Sequence, residues 1–537
     1  MSGPTEAPQV SGGSGVRARR WRRWVTRGVE LLALVFAVYL GGVGATSLFP
    51  TTVETRNYSA EVRLSALPTF TSTIHSPTSF GDLDLEFSSA FPAPGVDATV
   101  QVRDAITELF DDRRVSIESF EPSGKEISDA LGSGLVELGL KFAGGVLLVG
   151  VGAIALIAYA RRRRPTRRQL LSTGIATLMA IGGTGLGVWG TYQPAKLSRF
   201  TTTGLLGTVR SNAGLLADVQ ARAEQVTPYV KNLLALSQAL QEKFVPEDIS
   251  KPTAARFLLV SDIHGANQYP VMKRIIDDEQ ITAVIDAGDL LNFGSVTEAE
   301  LAGIFTSIEK LGVPYIFVRG NHDASSLTDQ ALVERLARIK NVVLLEPTPT
   351  TYVEASVNGV TVAGFNDPRF FGDDNKNNTQ KQEPAAEAFN QAYADLPPPD
   401  IAVTHEPGAV KLVRSATLLV NGHMHKEELD GNRVGVGTFT GGGTVAHLVF
   451  DQQSPGEKAD QTGELEGQPY AFDIAVFSEG CDLTSLTRYT YRNLIEGRPA
   501  YDNVSVINGK TIATREPGVR TCGTDLGVSR TTVTLGG

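Results

Sequence analysis

This sequence has little cysteine, no regular glycine repeat and no excess of positive charge. Only two of its 537 residues are cysteines, which excludes a cysteine-rich scaffold and a metal cluster held by thiolates. The 55 glycines follow no Gly-X-Y period, so a fibrous protein is excluded as well. The net charge of −10 argues against a protein that coats nucleic acid, and we expect no bulk nucleic-acid binding. Hydrophobic residues make up 42% of the chain, which is enough for a folded core.

Arginine is concentrated in two short clusters beside long apolar stretches. Six arginines lie between residues 17 and 27, and six more lie between residues 161 and 168. A helix of about 20 apolar residues crosses the hydrocarbon core of a bilayer. Small residues in the second and third stretches favour close packing as a hairpin. We therefore predict three transmembrane helices, at residues 25–49, 135–160 and 169–192.

The two arginine clusters also predict the topology. Lys and Arg are enriched in cytoplasmic loops, so both clusters are expected in the cytoplasm. A disordered basic tail, 1–24, and the loop 161–168 then lie inside, while 50–134 and 193–537 lie outside. The sequence predicts a multi-pass protein of the cell membrane with a cytoplasmic N-terminus. Cleavage of the first span is an open alternative, because Val43-Gly44-Ala45 resembles a signal-peptidase site.

Four regions outside the spans differ in their patterns. Residues 50–134 and 451–537 carry short β-branched runs, and we predict a β-rich module in each. Residues 251–450 alternate apolar strand-like runs with helical patterns, which indicates an α/β domain. Residues 193–250 are predicted to be a helical linker or stalk. The heptad-like stripe over 212–244 fits either an amphipathic helix lying on the globular domain or a stalk that forms a homodimer.

Both cysteines, Cys481 and Cys522, lie in the region that is predicted to be outside the membrane. Disulfides persist in oxidising compartments, and the number of cysteines is even. We therefore predict a bond between them, with two buried free thiols as the alternative.

Polar motifs follow five strand-like runs of the α/β region. The motifs contain five of the seven histidines of the chain. Loops at the carboxyl ends of strands are where α/β sheets assemble sites. Carboxylates, an amide oxygen and imidazoles suit Mn²⁺, Fe or Zn²⁺, and there are enough donors for two divalent ions. In chain order the motifs are Ser261–Gly265, Gly288–Asn292, Gly320–Asp323, Thr404–Pro407 and Gly422–His425.

The order of these motifs resembles the signature of the calcineurin-like metallophosphoesterases. That signature runs Asp-x-His, Gly-Asp-x-x-Asp, Gly-Asn-His-Asp or -Glu, His, and Gly-His-x-His. All five blocks occur here in that order between Asp262 and His425, with Asn292 where the family usually has Asp. The resemblance implies an α/β fold in which a sandwich of two mixed sheets is flanked by helices. The three membrane spans and the β-rich modules lie outside it.

The resemblance implies seven metal ligands: Asp262, His264 and His425 for one ion, Asn321, His405 and His423 for the other, and Asp289 between both. It also implies that His322 donates a proton or stabilises charge, and that Asp323 orients it. Arg369 follows the strand-like run 360–364. This arginine fits either a phosphate contact or an ordinary surface turn.

Together these patterns predict a membrane-anchored, outward-facing phosphoesterase with a dinuclear metal site. Two dications would lower the pKa of a water enough to supply hydroxide, which attacks the phosphorus of a phosphate mono- or diester. A phosphodiesterase is therefore one of the two activities expected. The alternative is a non-catalytic membrane protein for binding or signalling that retains the fold. The completeness of the five ligand blocks counts against this alternative.

Overall fold

The computed structural model of the chain describes residues 14–54, 58–78, 81–102, 124–193, 196–203, 251–349, 351–373, 377–443, 468–495, 498–513 and 520–534. The predicted stalk, 212–244, lies outside the described residues. The chain forms two compact units. The first comprises residues 1–77 and 86–196, and the second comprises residues 78–85 and 197–537.

The described residues of the first unit form three long helices: α1 (Ser14–Leu48), α2 (Gly124–Arg161) and α3 (Arg167–Thr191). Parts of each are long and apolar enough to cross a membrane, namely Trp24–Leu48, Gly132–Arg161 and Arg167–Thr191. This confirms three candidate spans. Their bounds lie within three residues of the predicted spans 25–49, 135–160 and 169–192, while the helices α1 and α2 themselves begin earlier, at Ser14 and Gly124. Arginine is a good helix former, which accounts for the extension of α1 through its arginine-rich first turns.

Small residues allow the helices of the first unit to approach closely. A Cβ atom at Gly145 of α2 would overlap the carbonyl oxygen of Gly41 on α1. On another face of α2, Gly150 lies beside Thr173 and Thr177 of α3. The contact between α2 and α3 agrees with the predicted hairpin. This unit also contains the strands β1 (Thr51–Glu54), β2 (Tyr58–Thr78) and most of β3 (Gly81–Val102), in the order β1-β2-β3.

The second unit is built from two sheets. Its strands are β4 (Leu197–Thr203), β5 (Thr253–Val260), β6 (Ala283–Asp286), β7 (Tyr315–Phe317), β8 (Val342–Leu344), β9 (Thr351–Val357), β10 (Val360–Gly364), β11 (Ile401–Val403), β12 (Leu418–Asn421), β13 (Glu428–Asp430), β14 (Arg433–Gly435), β15 (Tyr470–Ser478), β16 (Leu483–Ile495), β17 (Arg498–Asn508) and β18 (Val528–Thr534). Its helices are Tyr269–Asp278, Val296–Leu301, Ile304–Glu309, Ala331–Leu336, Asn378–Ala392, Pro407–Val410 and Gly509–Ile512.

Both sheets are mixed. In the second unit the first sheet has the order β4-β17-β16-β15-β5-β6-β7-β8, and the second sheet has the order β13-β14-β12-β11-β10-β9-β18. Strands β5 to β8 are parallel, and so are β10, β11, β12 and β14. Since parallel strands need crossover connections, helices cover the outer faces of the sheets.

Buried apolar side chains hold the layers together. Phe257 and Ile285 of the first sheet share one core with Val362 and Val420 of the second, so the sheets pack face to face. The helix Tyr269–Asp278 covers the other side of the first sheet, and the helix Asn378–Ala392 covers the second. This arrangement confirms the predicted fold class of two sheets flanked by helices.

The C-terminal segment is β-rich, as predicted for 451–537, but the sequence did not indicate that its strands join the two sheets of the α/β domain. Strand β15 pairs antiparallel with β5 inside the first sheet, and β18 pairs antiparallel with β9 at the edge of the second. The reason is that strands far apart in the chain complete the same two sheets, which a local pattern does not reveal. The disulfide between Cys481 and Cys522 is present, as predicted, and both cysteines are buried in the core between the sheets.

Candidate metal centre

All seven predicted ligands follow the carboxyl ends of parallel strands. Asp262 and His264 follow β5, Asp289 follows β6, and Asn321 follows β7 in the first sheet. His405 follows β11 in the second sheet, and His423 and His425 follow β12. The parallel strands of the two facing sheets therefore bring residues that are up to 163 positions apart to one edge of the sandwich.

The first cluster consists of Asp262, His264 and His425, whose potential ligand atoms lie within 4.8 Å of one another. The Nε2 atoms of His264 and His425 are 2.9 Å apart. Asp262 Oδ1 lies 3.3 Å from His425 Nε2 and 3.8 Å from His264 Nε2. One carboxylate oxygen and two imidazole nitrogens thus converge on a single point, as a divalent transition metal requires.

The second cluster consists of Asp289, His405 and His423, which also lie within 4.8 Å of one another by their ligand atoms. Asp289 Oδ2 is 3.1 Å from His405 Nε2. The same oxygen is 3.9 Å from Nε2 of His264, a member of the first cluster. Asp289 therefore lies between the two clusters, where a shared carboxylate can hold two ions close together.

Several buried side-chain nitrogen and oxygen atoms of the site lack a suitable hydrogen bond. Such unpaired atoms indicate whether the residues fit a metal. Asn321 Oδ1, Asp262 Oδ1 and His405 Nε2 are buried, and none has a hydrogen bond of acceptable geometry. Leaving such groups unpaired is costly, so native proteins normally satisfy them. A pair of divalent ions would satisfy all three, so the donor set fits two metals.

The backbone at the ligands is strained. Five of the seven predicted ligands have positive φ angles between 47° and 72°: Asp262, His264, Asp289, His423 and His425. Residues with side chains seldom adopt this left-handed region, and such strain concentrates at functional sites. These turns direct Asp262, His264 and His425 to the first cluster and Asp289 and His423 to the second.

Glycines of the motifs allow the loops to approach each other. A Cβ atom at Gly288, where φ is 102°, would lie 2.6 Å from the backbone nitrogen of Gly320 and 3.0 Å from His405 Nδ1. A Cβ atom at Gly422 would overlap Ser261 Oγ. These glycines are therefore required for packing around the ligands.

Each of three ligand imidazoles is oriented through its Nδ1 atom. His405 Nδ1 lies 2.8 Å from the Ala287 carbonyl oxygen, and His264 Nδ1 lies 3.2 Å from the Leu291 carbonyl oxygen. His425 Nδ1 lies 3.2 Å from Gln468 Oε1. An acceptor at Nδ1 fixes the proton there, and each Nε2 atom is left free to bind a metal.

The electrostatics of the second cluster favour bound cations. Burial opposes ionisation of Asp289, but His405 and His264 outweigh it and hold the pKa of Asp289 far below its ordinary value. Burial also lowers the pKa of His405, but the neighbouring Asp289 carboxylate raises it to about 10. A buried carboxylate that stays ionised attracts cations, and a metal would compete with the proton on His405.

His322 lies beside the clusters, but its partner is not the predicted one. Its Nδ1 atom lies 2.6 Å from the Asn292 carbonyl oxygen, and its backbone N–H donates to Asp289 Oδ1 at 2.7 Å. The Asp323 carboxylate instead accepts backbone N–H groups of Asp289, Leu291 and Gly320 at 2.8 to 2.9 Å. The expectation that Asp323 orients His322 was therefore wrong. Asp323 is buried and ties the ligand loops together.

Asn292, the departure from the family pattern, has a structural explanation. Its Nδ2 group donates to the His264 carbonyl oxygen and to Glu298 Oε1, both at 2.6 Å. Both partners are acceptors, so an amide fits here, whereas an ionised carboxylate would repel Glu298. Sequence reasoning had assigned no role to this residue or to Glu298, although the departure from the family pattern was itself a signal.

Arg369 is buried, so the surface turn considered for it was wrong. Its guanidinium donates to both oxygens of Asp367, and its Nη2 group also donates to Glu406 Oε2 at 2.6 Å. Glu406 Oε2 in turn lies 3.3 Å from His423 Nε2. Arg369 thus contacts the second cluster through Glu406, a residue that sequence reasoning missed although it follows the ligand His405.

Comparison with protein families agrees with this geometry. Residues 255–427 match the family model described as "Calcineurin-like phosphoesterase". The chain therefore contains a metal-dependent phosphoesterase domain of this family, which confirms the resemblance seen in the motifs. No curated protein resembles the chain closely enough to count as a match.

The solved structures that match the chain include three from different organisms. A dimetal phosphatase from Danio rerio is 10% identical, with 48% of this chain and 99% of that chain covered and a TM-score of 0.28. An uncharacterized predicted phosphoesterase from Streptococcus pneumoniae is 12% identical, with 52% and 97% covered and a TM-score of 0.19. The purple acid phosphatase PPD1 from yellow lupin (Lupinus luteus) seeds is 12% identical, with 50% and 57% covered and a TM-score of 0.28.

Proposed function

We propose that this chain, which contains a calcineurin-like phosphoesterase domain, is a membrane-anchored hydrolase of phosphate mono- or diesters. The observation that carries the proposal is the position of Asp289 between two ligand clusters. Asp262, His264 and His425 would hold one ion, while His405, His423 and Asn321 would hold the other. Two divalent ions, each Mn, Fe or Zn, would acidify a water molecule and offset the charge of the phosphoryl oxygens.

The remaining residues of the site supply a proton and hold the metal ligands in place. His322 has its Nδ1 atom held by the Asn292 carbonyl oxygen, so its Nε2 atom is available to protonate the departing alcohol. The carboxylate of Asp323 fixes the backbone that carries Asp289. The pair of Asp367 and Glu406 neutralises Arg369, so we assign Arg369 to orienting His423 through Glu406 rather than to binding phosphate.

We further propose that the second compact unit, which contains the candidate metal centre and is called the catalytic unit here, faces the outside of the cell membrane. The two arginine clusters favour a cytoplasmic position for the N-terminal segment and for the loop between α2 and α3. The bond between Cys481 and Cys522 supports an exterior position independently, because disulfides are rare in the cytosol. The stripe over 212–244 remains our proposal for a homodimer contact.

The decisive experiment compares the full-length chain with its Asp289→Asn variant. The wild type should bind two metals per chain and hydrolyse bis(4-nitrophenyl) phosphate or 4-nitrophenyl phosphate. The variant should lose metal and lose turnover, because one charge is removed from between both clusters. Asp395→Asn makes the same change at an exposed carboxylate and should alter neither the metal content nor the turnover.

Two results would contradict the proposal. Near-normal activity and metal content in the Asp289→Asn variant would refute the shared position of Asp289. A wild-type protein that binds metals but hydrolyses neither ester nor any member of a phosphoester panel would favour the non-catalytic alternative. The orientation is tested with protease on intact cells, where a C-terminal tag should be degraded; a tag that stays intact until the membrane is opened rules out this topology.

A further inference from the structure

Two exposed aromatic side chains lie next to the candidate metal centre. Phe293 is 54% exposed and Phe371 is 39% exposed. Their ring centroids are 5.5 Å apart, with an angle of 84° between the ring planes. We call Phe293 and Phe371 the aromatic wall. Exposed apolar residues that contact each other mark binding surfaces more often than isolated ones do.

The aromatic wall is continuous with the site through His322. The His322 ring is 5.1 Å from the ring of the ligand His264 and 5.5 Å from the ring of Phe371. One imidazole thus lies between the first metal cluster and the wall. A phosphoryl group bound at the clusters, with its leaving oxygen directed at His322, would place the alcohol part of the ester beside Phe371.

The backbone holds the aromatic wall in place. The Phe293 N–H donates to Glu298 Oε2 at 3.1 Å, and the Phe371 N–H donates to the Ala324 carbonyl oxygen at 2.8 Å. Ala324 directly follows Asp323, and Phe293 directly follows Asn292, whose carbonyl oxygen contacts His322. The wall is therefore attached to the same loops as the site, and little ordering is needed when a ligand packs against it.

We propose that the aromatic wall selects phosphate esters whose alcohol part is apolar. This inference rests on the proposed function, because it assigns the occupant of the wall to the leaving group of the same ester. An apolar alcohol would cover part of both rings, whereas a sugar or another polyol would have to give up hydration without gaining hydrogen bonds from phenylalanine. Alkyl and aryl alcohols share this chemistry.

The test measures binding of small phosphonates to the full-length, metal-loaded chain in lipid nanodiscs. Methyl-, hexyl- and benzylphosphonate carry the same charged group and differ only in apolar area. By isothermal titration calorimetry, hexyl- or benzylphosphonate should bind about tenfold more tightly than methylphosphonate, which corresponds to about 1.4 kcal/mol. A preference for hexyl alone indicates alkyl alcohols such as lipid chains, and a preference for benzyl alone indicates aryl alcohols.

Variants connect any preference to the wall. The Phe293→Ser and Phe371→Ser changes should reduce the affinity for hexyl- or benzylphosphonate to that for methylphosphonate, with the methylphosphonate affinity unchanged. Phe371→Leu keeps an apolar surface and should retain the preference for hexyl, which also covers the case in which a serine variant fails to fold. The control is Leu526→Ser, at a side chain that is 54% exposed like Phe293 and lies in the short 3-10 helix Thr524–Leu526. This change should alter none of the three phosphonate affinities.

The outcomes separate this inference from the proposed function. Equal affinities of the wild type for all three phosphonates, or a preference that survives both serine changes, would overturn the role of the wall. Hydrolysis of the two nitrophenyl esters is measured on the same samples. Hydrolysis without an apolar preference removes only the wall proposal, while selective binding without hydrolysis of any ester removes the catalytic proposal and leaves the wall as a ligand site.

Discussion

Replacing His322 with alanine separates proton donation from metal binding. The His322 side chain belongs to neither ligand cluster. Its backbone N–H, which donates to Asp289 Oδ1 at 2.7 Å, is retained in the variant. The change therefore removes the imidazole, with its contact to the Asn292 carbonyl oxygen, and leaves the ligands in place. We expect metal content to be unchanged in His322→Ala.

The size of the rate loss should depend on the leaving group. General acid catalysis contributes about 10²- to 10⁴-fold, which corresponds to about 2.7 to 5.4 kcal/mol of barrier. An alkoxide is a poor leaving group and needs the proton, so its ester should show the full loss. A nitrophenolate leaves without a proton, and its ester should lose less than about tenfold.

The assay measures kcat on two esters that differ only in the pKa of the leaving group, together with the metal content of each protein. His75→Ala makes the same change in β2, outside the catalytic unit, and should leave both rates unchanged. Equal losses on both esters would refute proton donation by His322 while leaving the metal site intact. Loss of metal from the variant would show instead that His322 supports the ligands.

Three further changes test contacts around the site. Asn292→Asp should destabilise the protein by about 1–3 kcal/mol in denaturant unfolding, because two acceptors would then face a carboxylate. Arg369→Met should lower the free energy of unfolding by about 3–5 kcal/mol, since it leaves buried carboxylates unpaired; a raised KM with unchanged stability would restore the phosphate role. Burial raises the pKa of Glu346 from 4.5 to about 7. Protonated Glu346 contributes fully to folding stability below pH about 4.5, and this contribution is lost as pH rises through 7. Glu346→Gln should therefore stabilise the chain by about 3 kcal/mol at pH 8 and should not stabilise it at pH 4. Thermal unfolding at both pH values measures this difference.

Local sequence patterns were sufficient to predict individual strands and helices and the residue types that could bind metal. The apolar runs predicted the strands β5, β6, β7, β11 and β12, because a short buried strand is defined by its own side chains. The polar residues directly after these strands predicted a metal site, since the carboxyl ends of parallel strands meet at one edge. Length and charge were enough to find three apolar helices.

Long-range pairing was not predictable in the same way. Strand β15 pairs with β5 although their paired residues are separated by more than 200 positions, as in Ile474 opposite Leu258. A β-rich pattern indicates that a segment forms strands but not which neighbour it finds, because the register depends on packing across the whole sheet. For this reason the sequence predicted a β-rich C-terminal module without indicating that its strands join the sheets of the α/β domain.

The sequence by itself determined which residue types could bind metal and in which order they occur along the chain. Only the tertiary structure decided their partners. Asp323 binds three backbone N–H groups rather than His322, and the carbonyl oxygen of Asn292 takes that place. The physical reason is that Asp323, although adjacent to His322 in sequence, can point away from it in a strained loop. The packing of two strands can instead bring the carbonyl oxygen of Asn292, thirty residues away, within hydrogen-bonding distance of His322.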